Sequence, residues 1–164
     1  MVDLVGMEKL LVVCGPTGTG KTALAIKLAD KFNGEIISAD SRQVYIGMDI
    51  ATGKEVQDSQ TRVEKEEGKW LVNDIPVYLY DIITPDKRFS LAGYQQLALE
   101  KIKEIQAKGK LPILVGGTGL YIQSVTEGLK IPKTPPDHEL RERLDRQELE
   151  DLLIELEKVD PVSF

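Results

Sequence analysis

Eight residues near the N-terminus constrain this chain more than any others: Gly15-Pro16-Thr17-Gly18-Thr19-Gly20-Lys21-Thr22. An apolar run, Leu10 to Cys14, precedes them, and Ala23-Leu24-Ala25-Ile26-Lys27-Leu28-Ala29 follows. The order is strand, glycine-rich loop, helix, with the G-x-x-x-x-G-K-[ST] spacing of a phosphate-binding P-loop. Glycines let successive backbone N–H groups curl around phosphate oxygens without Cβ clashes. The helix N-terminus adds free donors and the positive end of its dipole. Lys21 supplies a compact cation, and the Thr22 hydroxyl can enter a Mg²⁺ shell. The motif predicts a grip on a diphosphate or triphosphate; the chemistry done with it must be read elsewhere.

A chain of 164 residues, 41% hydrophobic and 29% charged, is expected to form one globular domain spanning 1–164. No apolar stretch approaches the roughly 20 residues that span a bilayer, and residues 1–10 lack the pattern of a secretory signal. With one cysteine no intrachain disulfide can form, and a cytoplasmic location is expected. Cys14 reads as a small buried apolar residue. The net charge of −6 argues against a broad nucleic-acid-binding surface, although Lys130, Lys133, Arg141, Arg143 and Arg146 crowd one short stretch.

Strands are predicted over 9–14, 35–39, 77–82 and 111–115. Helices are predicted over 21–33, stopped by Gly34, over 91–108, capped by Ser90, and over 119–126. A last helix is expected over 137–158, with Asp137 as N-cap and Leu140, Leu144, Leu149, Leu152, Leu153 and Leu156 on its apolar side. Residues 41–53 read as a loop. Residues 54–76, polar apart from Trp70, Leu71 and Val72, read as a surface insertion with a hairpin. Alternating strands and helices predict an α/β, P-loop NTPase-like three-layer fold, its mainly parallel sheet flanked by helices. Ligands of such sheets sit at the carboxyl ends of the strands. The P-loop, Asp40 and the Gly116–Gly119 turn all fall on such ends, so they should converge on one cleft.

Asp40 is the pivotal second residue. It can serve as a general base or a Mg²⁺ ligand, or simply cap the turn that follows. Three functions compete. A small-molecule kinase would pass a γ-phosphoryl group to a hydroxyl held by Asp40. An alkyl transferase would grip a diphosphate as leaving group. A nucleotide-dependent switch would have no acceptor. Asp40-Ser41-Arg42-Gln43 packs base, hydroxyl, cation and amide into four residues, which suits an acceptor pocket and favours a transferase over a switch. A kinase also needs an Arg-bearing lid, for which Arg88 and Arg141 are only loosely placed.

Four segments then carry a resemblance: Gly15 to Thr22, Gly34 to Tyr45 (GEIISADSRQVY), Gly47 to Lys54 (GMDIATGK) and Leu114 to Tyr121 (LVGGTGLY). In this order, over about residues 9–160, the chain resembles the tRNA dimethylallyltransferase (tRNA isopentenyltransferase) family. The resemblance implies transfer of a dimethylallyl group from dimethylallyl diphosphate to N6 of an adenosine beside a tRNA anticodon, with Mg²⁺. Gly15, Pro16, Thr17, Gly18, Thr19, Gly20, Lys21 and Thr22 would bind the diphosphate, with Thr22 on the metal. Asp40 would accept the N6 proton, with Lys21 and Thr17 as the other catalytic residues. Ser41, Arg42, Gln43 and Thr118 would complete the adenine and tRNA contacts. The target base would leave its stack to enter the pocket, and the basic residues of 130–146 could meet the anticodon stem-loop.

Two departures from the family pattern stand out. A His-containing segment usual before Asp81-Ile82 is replaced by the charged stretch 55–74, and His138, the single histidine, reads as a surface residue. The family's members also continue into further tRNA-embracing helices, so the chain reads as a truncated, monomeric form whose full activity needs the remaining half. No membrane partner is expected.

Overall fold

In the computed structural model the described residues are 9–54, 61–132 and 137–162. They fall into two compact units, divided between Ile131 and Pro132. The first unit holds β1 (Leu11–Cys14), α1 (Lys21–Phe32), β2 (Gly34–Ser38), β3 (Val63–Glu66), β4 (Lys69–Val72), β5 (Ile75–Tyr78), α2 (Leu91–Ala107), β6 (Leu111–Gly116) and α3 (Gly119–Thr126). The second holds α4 (His138–Asp145) and α5 (Leu149–Val159).

The six strands form one sheet in the order β1-β6-β2-β5-β4-β3. The first four run parallel, and the last two are antiparallel additions. Period-two alternation sends neighbouring side chains to opposite faces. Ile36, Ile113 and Val115 pack with Ala25 and Ala29 of α1 on one face. Ile37 and Leu114 pack with Tyr94, Ala98, Ile102 and Ile105 of α2 and Val125 of α3 on the other. This is the expected α/β three-layer arrangement.

Several local expectations are corrected. Gly34 does not stop α1. Asn33 takes the left-handed conformation at φ 50° and caps the helix, as asparagine can. Gly34 instead begins β2, where a Cβ would lie 2.8 Å from the Ile113 side chain and 2.9 Å from the Leu111 carbonyl. Cys14 is exposed, because β1 is an edge strand and Cys14 is its last residue. The 54–76 stretch is more than a surface insertion: β3 and β4 form a hairpin that widens the sheet, and Trp70 is fully buried. Residues 55–60 of that stretch lie outside the described residues.

The strand predicted over 77–82 ends at Tyr78 because Leu79 is left-handed, at φ 66°. Alternation breaks there. Tyr78 and Leu79 both pack on the α2 face, while Tyr80 turns to the α1 face with Val77.

Ser90 and Asp137 cap as expected, accepting from the Gly93 and Leu140 N–H groups at 3.1 and 2.9 Å. The single helix foreseen over 137–158 is two helices. Arg146 and Gln147 close α4 with i→i+3 bonds to the carbonyls of Arg143 and Leu144. Glu150 and Asp151 then favour a new helix start, where acids meet the positive end of the dipole. Within this unit Arg143 pairs with Glu155 at 2.9 Å, and Arg146 with Glu142 at 3.6 Å.

Gly116 sets the geometry beside the P-loop. A Cβ on it would lie 2.1 Å from the Ala39 carbonyl oxygen. That oxygen accepts from the Thr118 N–H at 3.1 Å, and the Ala39 N–H donates to the Val115 carbonyl at 2.7 Å. The ends of β2 and β6 therefore meet backbone to backbone. Gly116→Ala is expected to cost about 1–3 kcal/mol, the usual range for an overpacked site. Urea denaturation checks this, and an unchanged midpoint would contradict the close approach.

Candidate functional site

The carboxyl ends of β1, β6 and β2, which are neighbours in the sheet, bring the P-loop, the Gly116–Gly119 turn and Asp40 together as their order along the chain foretold. A cleft of about 390 Å³ opens there. Of the residues proposed from sequence, Thr17, Gly18, Gly20, Lys21, Thr22, Asp40 and Gln43 line it. Gly15, Pro16, Thr19, Ser41, Arg42 and Thr118 are not among its lining residues.

On the P-loop side, Gly18 and Gly20 are left-handed at φ 84° and 80°. Gly20 is the N-cap of α1 and offers no side chain to the first helical N–H groups; the first turn holds no acid. Those donors are open to an anion. The Lys21 ammonium donates to the Pro16 carbonyl at 2.5 Å, as does the Thr19 hydroxyl at 2.9 Å. A phosphate would offer Lys21 a charged acceptor in place of a neutral one.

Just beyond β2, Asp40 does two things. Its Oδ1 accepts from the Arg42 N–H at 2.9 Å, which makes the capping turn. Its side chain also lines the cleft. Ser41 is anchored from behind: its N–H donates to the Thr118 hydroxyl at 2.9 Å, and that hydroxyl lies 3.3 Å from the Ser41 hydroxyl. Thr118 thereby ties the turn after β6 to the turn after β2. The Gln43 amide is held at both ends, accepting from the Ser38 hydroxyl at 2.7 Å and donating to the Thr52 carbonyl at 3.0 Å. Arg42 is exposed.

Sequence reasoning missed the buried support of this side. Lys54, 1% exposed, donates to the Tyr45 carbonyl at 2.6 Å, Asp81 Oδ1 at 2.6 Å and Asp49 Oδ1 at 3.2 Å. Asp81 Oδ2 accepts from Trp70 Nε1 at 2.5 Å, and Asp49 Oδ2 from Lys65 at 2.6 Å. The hydrogen bond from Lys65, then those from Lys54, hold the Asp49 carboxyl below its ordinary range despite the opposing effect of burial. The Asp81 N–H also donates to the Gln43 carbonyl at 3.3 Å. The hairpin, the Gly47–Lys54 loop and Gln43 are thus one hydrogen-bonded assembly, and Thr52 and Gly53 of that loop line the cleft.

Sequence reasoning also missed the remaining wall: Ile36, Val77, Tyr80 and Val115, from the α1 face of the sheet. Ile36, Val77 and Val115 make this wall apolar, and they line the same cleft as the P-loop residues.

Among the described residues no group of three or more His, Cys, Asp or Glu side chains could hold a metal ion. The hydroxyl of Thr22 and the carboxylate of Asp40 are hard oxygen donors in one cleft, a set that fits Mg²⁺ carried largely by phosphate oxygens and water. No helix of the described residues is long and apolar enough to cross a membrane. Lys130, Arg141, Arg143 and Arg146 are exposed, as is His138; Lys133 lies outside the described residues.

A mainly parallel α/β sheet with a P-loop after its first strand, and a carboxylate lining the same cleft, defines a P-loop domain. A model of the IPP transferase family matches residues 43–164. A tRNA dimethylallyltransferase of Roseiflexus sp. is 45% identical over 161 residues, 96% of this chain and 49% of that protein. One from Anoxybacillus flavithermus is 46% identical, over 95% of this chain and 46% of its own length. Among solved structures, the full-length tRNA isopentenylpyrophosphate transferase of Bacillus halodurans superposes with a TM-score of 0.66 at 38% identity, covering 95% of this chain and 49% of that one. A eukaryotic dimethylallyltransferase acting on tRNA superposes with a TM-score of 0.73 at 29% identity, covering 93% and 36%. The chain belongs to the IPP transferase family. It spans about half the length of the curated relatives it matches.

Proposed function

We propose that this chain transfers a dimethylallyl group from dimethylallyl diphosphate to N6 of an adenosine beside a tRNA anticodon, releasing diphosphate. The observation that carries this reading is the pairing of an open P-loop with an apolar wall, the carboxylate of Asp40 lying in the same cleft. A short alkyl diphosphate needs a polar grip at one end and apolar contact at the other.

In this reading the backbone N–H groups of Thr17 to Thr22 and the Lys21 ammonium bind the diphosphate. Gly15, Pro16 and Thr19 shape the loop; Thr19 and Lys21 both meet the Pro16 carbonyl. Thr22 would help to hold Mg²⁺, which would supply charge neutralisation when bound. The allylic C–O bond breaks and its electron pair leaves with the diphosphate, where Lys21 and the loop amides stabilise the charge. The N6 nitrogen forms the new bond to carbon, and its proton passes to Asp40. Ser41 and Gln43 border the adenine. Thr118 and Arg42 contact the tRNA. The cytoplasm is the expected place of work, since that is where a tRNA acceptor is met.

Single-turnover transfer of labelled dimethylallyl diphosphate to an anticodon stem-loop tests the reaction. Label in N6 supports it, and label recovered only as a free alcohol contradicts it. Lys21→Ala is expected to weaken diphosphate binding by about 10- to 150-fold, the loss of a charge-assisted contact of roughly 1.5–3 kcal/mol. Calorimetry reads this directly, and unchanged affinity would remove Lys21 from the grip.

A further inference from the structure

Tyr80 is a ring of the cleft wall that the sequence motifs leave unassigned. It is 2% exposed, and it lines the cleft beside Ile36, Val77 and Val115. Its position is held by unusual backbone. Leu79 and Asp81 on either side are both left-handed, at φ 66° and 53°. Such conformations cost energy for non-glycine residues and cluster at functional sites. Their effect here is to turn Tyr80 to the α1 face, out of the alternation of β5. Trp70 then fixes the ring edge-to-face, with centroids 5.2 Å apart and planes at 87°.

The surroundings of this ring are electronegative. Burial first, then the charges of Asp40 and Asp81, push the Tyr80 phenol well above its ordinary range, so it stays protonated. Trp70 already carries two ammonium groups, Lys65 at 4.4 Å and Lys54 at 5.7 Å from its ring. Among the described residues none of the cation–ring contacts involves Tyr80. An electron-rich ring without a cation, lining the cleft that the P-loop also lines, is suited to positive charge that arises only during reaction.

We propose that the ring of Tyr80 stabilises the positive charge that develops on the allyl group as its C–O bond breaks. This rests on the donor site argued above and assigns Tyr80 a role in the transition state. The diphosphate takes the departing electron pair at one end of the cleft, and the ring faces the electron-poor carbon fragment at the other.

The test uses binding, so that it stands apart from turnover. 2-(Dimethylamino)ethyl diphosphate carries an ammonium where the allyl cation would be; 3-methylbutyl diphosphate is its neutral isostere. Their affinities are measured by calorimetry for the full chain, Tyr80→Phe, Tyr80→Leu and a chain with 3,4,5-trifluorophenylalanine at position 80. Asp40 is present in every variant, so its attraction for the ammonium cancels. The preference for the ammonium compound is expected to persist in Tyr80→Phe. It should fall by about 5- to 30-fold in Tyr80→Leu, the span of a desolvated cation–ring contact. The fluorinated ring keeps the shape of phenylalanine but loses its negative face, and should also lose the preference. Equal preference in all four proteins would overturn the inference while leaving the donor site intact. Failure of the unaltered chain to bind either diphosphate would instead overturn the donor site, and the inference with it.

Discussion

Asp40→Asn is expected to slow single-turnover transfer by about 10²–10⁴-fold, the span of a general base, and to leave diphosphate affinity nearly intact. The structure makes this substitution a clean one. Asp40 Oδ1 accepts from the Arg42 N–H at 2.9 Å, and an asparagine amide oxygen can accept the same bond. The turn that presents Ser41 and Gln43 is therefore preserved, and what is lost is the capacity to take a proton. The amine of adenine is a weak nucleophile, so its deprotonation carries a large share of the barrier. Two measurements separate the alternatives. A collapse of diphosphate binding would make Asp40 a metal ligand, and an unfolded variant would make it mainly a turn cap.

Lys54→Met is expected to lower stability by about 3–5 kcal/mol, because it leaves buried carboxylate without its counter-charge. Lys54 uses all three ammonium protons, on Tyr45, Asp49 and Asp81. Asp49 would keep Lys65. Asp81, with a side chain 13% exposed, would keep only the neutral donor Trp70 Nε1. Trp70 is the single tryptophan of the chain and touches this network, so its fluorescence reports the unfolding. The expected result is a large drop in the urea midpoint. A loss under about 1 kcal/mol would show that Lys54 behaves as a solvated surface charge. The substitution should also loosen Gln43, whose amide is tied to Thr52 in the same assembly.

The strand, glycine-rich loop and helix of the P-loop were legible in the sequence because every part of them is local. Eight contiguous residues specify the loop, and the flanking apolar runs specify the strand and helix that frame it. The meeting of Asp40 with the P-loop was also legible, since parallel strands place their carboxyl ends on one side. The apolar wall was not. Ile36 and Ile37 are both buried, but on opposite faces, and composition gives no sign of which face carries a cleft. Nor was the Lys54 network legible, since it joins a loop, a strand end and a hairpin across 27 positions. The hairpin looked peripheral because its polar residues outnumber its apolar ones; one buried indole decides its placement. Cys14 was misjudged because strand order, not local sequence, makes β1 an edge. The break between α4 and α5 fell in a stretch without proline or glycine, where acids at a helix start were the only mark.

Parallel calorimetric titrations with dimethylallyl diphosphate and with ATP, each with Mg²⁺, test the central claim most directly. A cleft built from a phosphate cradle and an apolar wall predicts that dimethylallyl diphosphate binds more tightly than ATP, and that Lys21→Ala abolishes most of that binding. Tighter binding of ATP, with its γ-phosphate transferred to an alcohol, would contradict the account and identify a kinase.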